Sequence, residues 1–130
     1  MKLRFCISLM VFAAAMSGAS ADESLEAGKD MFRSECIACH AFECNKSGPR
    51  LAGLIGRKAG SVADFSGYID ELRNSGIVWS EDTLNAFLTN PSSVVTGTLM
   101  ALAGRIEGDR ARGDLIAFLK SGDTSLDLCF

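Results

Sequence analysis

Cys36-Ile37-Ala38-Cys39-His40 constrains this chain more than any other stretch. It reads C-x-x-C-H, the attachment signature for a c-type haem. Two thiols three residues apart can each form a thioether with one of a haem's two vinyl groups. The next residue then puts an imidazole under the iron. His40 is the only histidine in the chain, so a His-ligated haem has one protein imidazole available. The same five residues also fit a thiol redox pair, or half of a metal site ahead of a histidine. The rest of the chain has to discriminate.

Residues 1–21 read as a secretory signal peptide. Lys2 and Arg4 form a positive n-region, and Phe5 to Met16 is an apolar run too short to span a bilayer. Ala19-Ser20-Ala21 is an A-x-A cleavage site followed by the acidic Asp22-Glu23. An uncleaved anchor is the alternative. Cleavage after Ala21 leaves residues 22–130, a 109-residue chain of one domain in the periplasm. A core this small gains much from a buried haem.

Taking Lys2 and Arg4 from the 13 basic residues leaves 11 against 16 acidic ones, a formal charge of −5. Nucleic acid is a poor partner for such a surface. The cysteine count adds a constraint. Cys6 leaves with the leader, and haem takes Cys36 and Cys39. Cys44 and Cys129 remain as an even pair in an exported protein, which favours a disulfide between them over two free thiols.

Helical signals dominate the remainder. Ser24 is the expected cap of a helix from Leu25 to Arg33, on which Gly28 and Phe32 share a face. A glycine there admits a second helix at close range. The C-terminal run Asp109 to Lys120, with Leu115, Ile116, Phe118 and Leu119 as its apolar stripe, is the expected partner. Two shorter helices are expected, from Tyr68 to Arg73 and from Ser80, as N-cap, to just before Pro91. No run alternates long enough for a sheet.

An iron held by one histidine needs a second axial ligand or keeps an open position. Met31 and Met100 are the soft donors of the mature chain. Met31 falls on the first helix and reads as core. Met100 lies in Thr96-Gly97-Thr98-Leu99-Met100-Ala101, where small neighbours free the thioether to reach a metal. Met/His ligation raises the reduction potential and disfavours gas binding and peroxide chemistry.

Together these segments resemble the class I cytochromes c, the mitochondrial type and the bacterial cytochromes c2. The resemblance runs from Gly28 to Gly122. It rests on Gly28-Lys29-Asp30-Met31-Phe32, the C-x-x-C-H, Gly48-Pro49-Arg50-Leu51 and Gly56-Arg57-Lys58-Ala59-Gly60. Further along it rests on Asn74-Ser75-Gly76-Ile77-Val78-Trp79, Gly97-Thr98-Leu99-Met100 and Asp114-Leu115-Ile116-Ala117-Phe118-Leu119-Lys120. It implies an all-α fold of three to five helices and loops around one covalent haem c. It also implies site roles. The Pro49 carbonyl would accept from His40, Arg57, Tyr68 and Trp79 would donate to a buried propionate, and Thr98 would support the Met100 loop. The implied activity is that of a monomeric, non-enzymatic electron carrier between a membrane bc-type complex and an oxidase or photosynthetic reaction centre.

The chain also departs from the family. Ser92, Ser93 and Leu99 stand where lysines are usual, Leu102 where an aromatic is, Phe87 for a tyrosine, and Thr96 for a proline. Gly67 is inserted before Tyr68. Such changes resemble an isocytochrome c2 and put the usual partners in doubt. The competing readings are a haem peroxidase or diatomic-gas binder with a labile Met100, and a zinc or thiol-redox module of Cys36, Cys39, His40 and Cys44.

Overall fold

The computed structural model describes residues 20–126 and Cys129, so the leader expected over residues 1–21 lies almost wholly outside the described residues. The chain forms helices α1 (Ala21–Glu35), α2 (Asp70–Arg73), α3 (Glu81–Thr89), α4 (Pro91–Val94) and α5 (Asp109–Ser121), with a 3-10 turn at Leu99–Leu102. Pairing between extended segments is limited, among the described residues, to one antiparallel bridge joining Lys58 to Val78. None of the described helices is long and apolar enough to cross a membrane.

Helix α1 begins four residues before its expected start. Ser20, not Ser24, is the N-cap, and its hydroxyl accepts the Glu23 N–H at 3.2 Å. Asp22 and Glu23 then place negative charge where the helix dipole favours it. Ser24 is freed for a tertiary role. Its hydroxyl donates to Asp114 of α5 at 2.5 Å. One turn on, Gly28 faces the same helix. A Cβ built there would sit 2.0 Å from the Asp114 carbonyl oxygen and 2.8 Å from Phe118 Cβ, so only glycine permits this crossing.

The α1–α5 contact is sealed by aromatics. Phe32, Phe42 and Phe118 are fully buried, with ring centroids 5.3 to 5.7 Å apart. Leu115, Ile116 and Leu119 complete the buried face of α5. Arg112, also buried on α5, binds Asn85 of α3 through Nε at 2.8 Å and the Ile106 carbonyl through Nη1 at 2.7 Å, and pairs with Asp109. A guanidinium with this many partners offsets its own desolvation and pins the 105–109 loop between two helices.

Helix α3 follows a full capping box, with Ser80 and Thr83 each satisfying the other's backbone N–H. Its Phe87 packs on Trp79 with centroids 5.2 Å apart. The expected Tyr68–Arg73 helix is shorter. Ile69 is its extended N-cap, so Tyr68 precedes it in open chain. Pro91 does more than end α3. It stands at the first position of α4, where a missing N–H costs nothing.

Candidate functional site

The two thiols and the imidazole occupy the end of α1. Cys36 caps the helix, and the Cys36 and Ile37 N–H groups both reach the Phe32 carbonyl, at 2.9 and 3.0 Å. The next turn is closed by Cys39 and His40 N–H groups donating to the Cys36 carbonyl, at 3.1 and 2.9 Å. A helix terminus continued by one tight turn thus fixes all three side chains against a single backbone frame.

His40 is buried, and its ring is held on two sides. Nδ1 lies 2.8 Å from the Pro49 carbonyl oxygen. A carbonyl only accepts, so Nδ1 carries the proton and Nε2 keeps its lone pair. The backbone of Gly48 lies flat against the imidazole. A Cβ at Gly48 would fall 2.4 Å from Cε1 and 2.7 Å from Nδ1. Burial above all pushes the His40 pKa down, against the opposing pull of the Pro49 bond, with the charges of Lys46 and Arg57 adding to the drop. A neutral imidazole is the form that binds a metal.

The loop from His40 to Ala52 is strapped in place. Gly48 N–H donates to the Cys39 carbonyl at 2.8 Å, and the Lys46 ammonium to the Ile37 carbonyl. Asn45 accepts the Arg50 N–H at 2.9 Å and donates to the Asp64 carbonyl at 3.1 Å. At the loop's start Cys44 Sγ is bonded to Cys129 Sγ, with Cα atoms 5.8 Å apart. Gly48 and Lys46 were not singled out as site residues from the sequence. Their contacts with the ring and the motif turn join separate turns of the chain, and no local pattern encodes them.

Arg57, Tyr68 and Trp79 come from separate segments. The bridge between residues 58 and 78 joins two of them: Trp79 N–H donates to the Arg57 carbonyl at 2.9 Å, and Gly56 N–H to the Trp79 carbonyl at 2.7 Å. Arg57 Nη1 and Nη2 donate to the carbonyls of Ala52 and Arg50, at 3.0 and 2.9 Å, and no carboxylate pairs with it among the described residues. Burial, then the proximity of Arg50, lowers its pKa despite the opposing pull of Tyr68. Burial pushes the Tyr68 hydroxyl up, opposed by a Val62 backbone bond and by Arg57, Arg50 and Arg73. A cation desolvated without a counter-ion suits an anionic group such as a haem propionate. The inserted Gly67 lets Phe65 fold beside Tyr68, since a Cβ there would meet the Phe65 ring at 2.7 Å; the Phe65 and Tyr68 centroids are 4.8 Å apart.

Thr98 and Met100 share the 3-10 turn. The buried Thr98 hydroxyl accepts the Met100 N–H at 3.3 Å and so holds the methionine's backbone. Gly97 precedes it with φ of 78°, a left-handed conformation that glycine adopts freely. Both Met100 and Met31 are partly buried against the core.

The donor set therefore fits a covalent haem: two thiols clear of any disulfide, a neutral oriented imidazole, a thioether and an unpaired cation. It does not fit the zinc or thiol-exchange reading. Cys44 is engaged with Cys129, and no cluster of three metal-binding side chains occurs among the described residues. Burial, then Glu35 and Cys39, pushes the unmodified Cys36 thiol up to about 12, opposite to what thiol exchange needs.

Comparison with known proteins gives the same direction. No protein-family model matches the chain. Cytochrome c of Tetrahymena pyriformis is 50% identical over 96 residues, covering 73% of this chain and 85% of that protein. Cytochrome c2 of Rhodoplanes tepidamans is 43% identical over 100 residues, covering 75% and 91%. Among solved structures, cytochrome cH from Methylobacterium extorquens aligns with a TM-score of 0.67 at 40% identity, over 75% of this chain and 97% of that one.

Proposed function

The chain belongs to the class I cytochromes c, carriers of electrons on one covalent haem c and not enzymes, and from that premise we propose a periplasmic shuttle in which His40 and Met100 would ligate the haem iron. Cys36 and Cys39 would hold the haem by thioethers. Arg57, Tyr68 and Trp79 would hold its propionates, and Thr98 braces the methionine's backbone. When bound, the haem supplies a one-electron change between two iron oxidation states. The protein's part is to hold both ligands in one geometry, so that little rearranges on transfer. The observation that carries this reading is His40, buried and neutral, with Nδ1 committed to Pro49 beside two free thiols.

The donor is a membrane bc-type complex, and the acceptor an oxidase or a photosynthetic reaction centre. Mixing reduced or oxidised holoprotein with each purified complex tests this directly. Electron exchange at submillisecond to millisecond times with a bc-type complex and one acceptor is the expected result. Exchange with none of them removes the shuttle assignment. The catalytic alternative, with Met100 dissociating for peroxide or a gas, has less support, because Thr98 ties down the methionine's own backbone.

Export also bears on Cys44 and Cys129, whose bond suits an oxidising compartment. A closed loop of 85 residues stabilises by about 4.6 kcal/mol at most in the chain-entropy picture, less where haem thioethers restrict the unfolded chain. Cys44→Ser and Cys129→Ser are expected to lower Tm by similar amounts, and the double variant by no more than either alone. Additive losses, or an intact mass matching two free thiols, would count against the bridge.

A further inference from the structure

The loop that orients His40 is held from several directions, and one of the ties is covalent. Its base is shut by the Leu51 and Ala52 N–H groups, which donate to the carbonyls of Ala41 and Phe42 at 2.9 and 3.0 Å. Its tip, residues 43–49, carries the Gly48 backbone and the Pro49 carbonyl onto the imidazole. Among the described residues, three side chains attach this tip to other segments. The Lys46 ammonium donates to the Ile37 carbonyl, Asn45 donates to the Asp64 carbonyl at 3.1 Å, and Cys44 is bonded to Cys129 across a sequence separation of 85.

The chain leading to the far end of that bond is itself anchored. Helix α5 stops at Gly122, where φ of 71° turns the chain. Asp123 then pairs with Lys29 of α1 at 3.4 Å, and Leu126 packs against the core. The tail is thus tied to α1, the helix that Cys36 caps. Bonding Cys129 to Cys44 joins the His40 loop to the same frame that fixes the C-x-x-C-H turn. A hydrogen bond lost from the tip is largely replaced by one to water. The covalent link has no such substitute, so it limits how far the tip can lift from the ring.

We propose that Cys44 and Cys129 are positioning residues for the iron ligand: their bond keeps the Pro49 carbonyl on His40 Nδ1 and thereby holds the haem's reduction potential down. The inference rests on the reading of His40 as an iron ligand. A carbonyl that accepts from Nδ1–H makes the imidazole a stronger donor, and a stronger donor favours the ferric ion. With the link broken, the tip leaves the ring for part of the time and the redox equilibrium moves toward ferrous iron. Outright loss of such an outer partner changes metal-site properties by about 10- to 100-fold. Partial loss is expected to move the redox equilibrium by about threefold, a rise of about 28 mV at about 59 mV per tenfold.

The test uses holoprotein in three forms. They are the wild type, the Cys44→Ser/Cys129→Ser pair, and wild type whose disulfide is opened with a water-soluble phosphine, capped with iodoacetamide and freed of reagent. The phosphine ends as its oxide, with oxygen from water, and the two sulfurs end as thiols before capping. Ser24→Ala, which loses the Ser24–Asp114 bond near the start of α1, controls for general loss of stability. Spectroelectrochemistry gives the midpoint potential. Amide hydrogen exchange gives the protection of Gly48, whose N–H donates to the Cys39 carbonyl. Both opened forms are expected to show the threefold shift toward ferrous iron and a Gly48 exchange rate raised about tenfold. Ser24→Ala should show neither. A potential equal to or lower than that of wild type in the opened forms overturns the proposal. So does an equal rise in Ser24→Ala. A wild-type holoprotein without a low-spin spectrum overturns the His40 reading and the proposal with it. A low-spin wild type whose potential ignores the bond overturns the proposal alone.

Discussion

Replacing His40 by alanine is expected to abolish the low-spin haem spectrum while leaving the haem attached. Cys36 and Cys39 still supply the thioethers, but no second imidazole exists in the chain to replace the lost one. The damage extends past the iron. His40 is buried, its Nδ1 satisfies the Pro49 carbonyl, and the Gly48 backbone rests on its ring. Alanine leaves a cavity and an unsatisfied buried acceptor, together costing on the order of 3 kcal/mol or more. Absorption spectra of both oxidation states and a thermal melt report the two effects separately. Added free imidazole should restore the low-spin spectrum without restoring the full Tm. An unassisted low-spin spectrum in the variant would remove His40 from the iron.

The second large effect is expected at Met100. Met100→Ala should give a high-spin haem whose potential lies lower by a few tenths of a volt, because axial ligands govern potentials over about 0.8 V. The fold should survive, since the turn is set by the Thr98 cap and by Gly97, not by the thioether. Met31→Leu is the control. Met31 packs against the core from α1, so a volume-conserving change there should leave spectrum and potential unaltered. The reverse pattern, with Met31→Leu changing the spectrum and Met100→Ala silent, would transfer the ligand to α1.

The long elements were legible because their signals are local and repeated. Gly28 and Phe32, four apart, announced the α5 contact, and the Leu115–Leu119 stripe supplied its other half. The Ser80 cap of α3 was readable for the same reason. Helix α1 starts earlier than its expected first residue. The expected cap was Ser24, while Ser20 and Glu23 have the S-x-x-E spacing of a helix start. Helix α4 and the 3-10 turn were not anticipated, because four-residue elements complete too few turns to show a period.

What the sequence determined by itself was the chemistry. Cys36, Cys39 and His40 are adjacent in the chain, so their spacing is a covalent fact that any fold must respect. Their match to a c-type haem needed no coordinates. The tertiary structure decided the environment. It set the backbone of Gly48 on the imidazole, turned two Arg57 nitrogens onto the carbonyls of Ala52 and Arg50, and brought the segment of Arg57 beside that of Trp79. It also left Leu99 and Leu102 exposed on either side of Met100. Each of these depends on which distant segments meet and which faces they cover. That is settled by packing the whole chain around one core, and no stretch of sequence carries it alone.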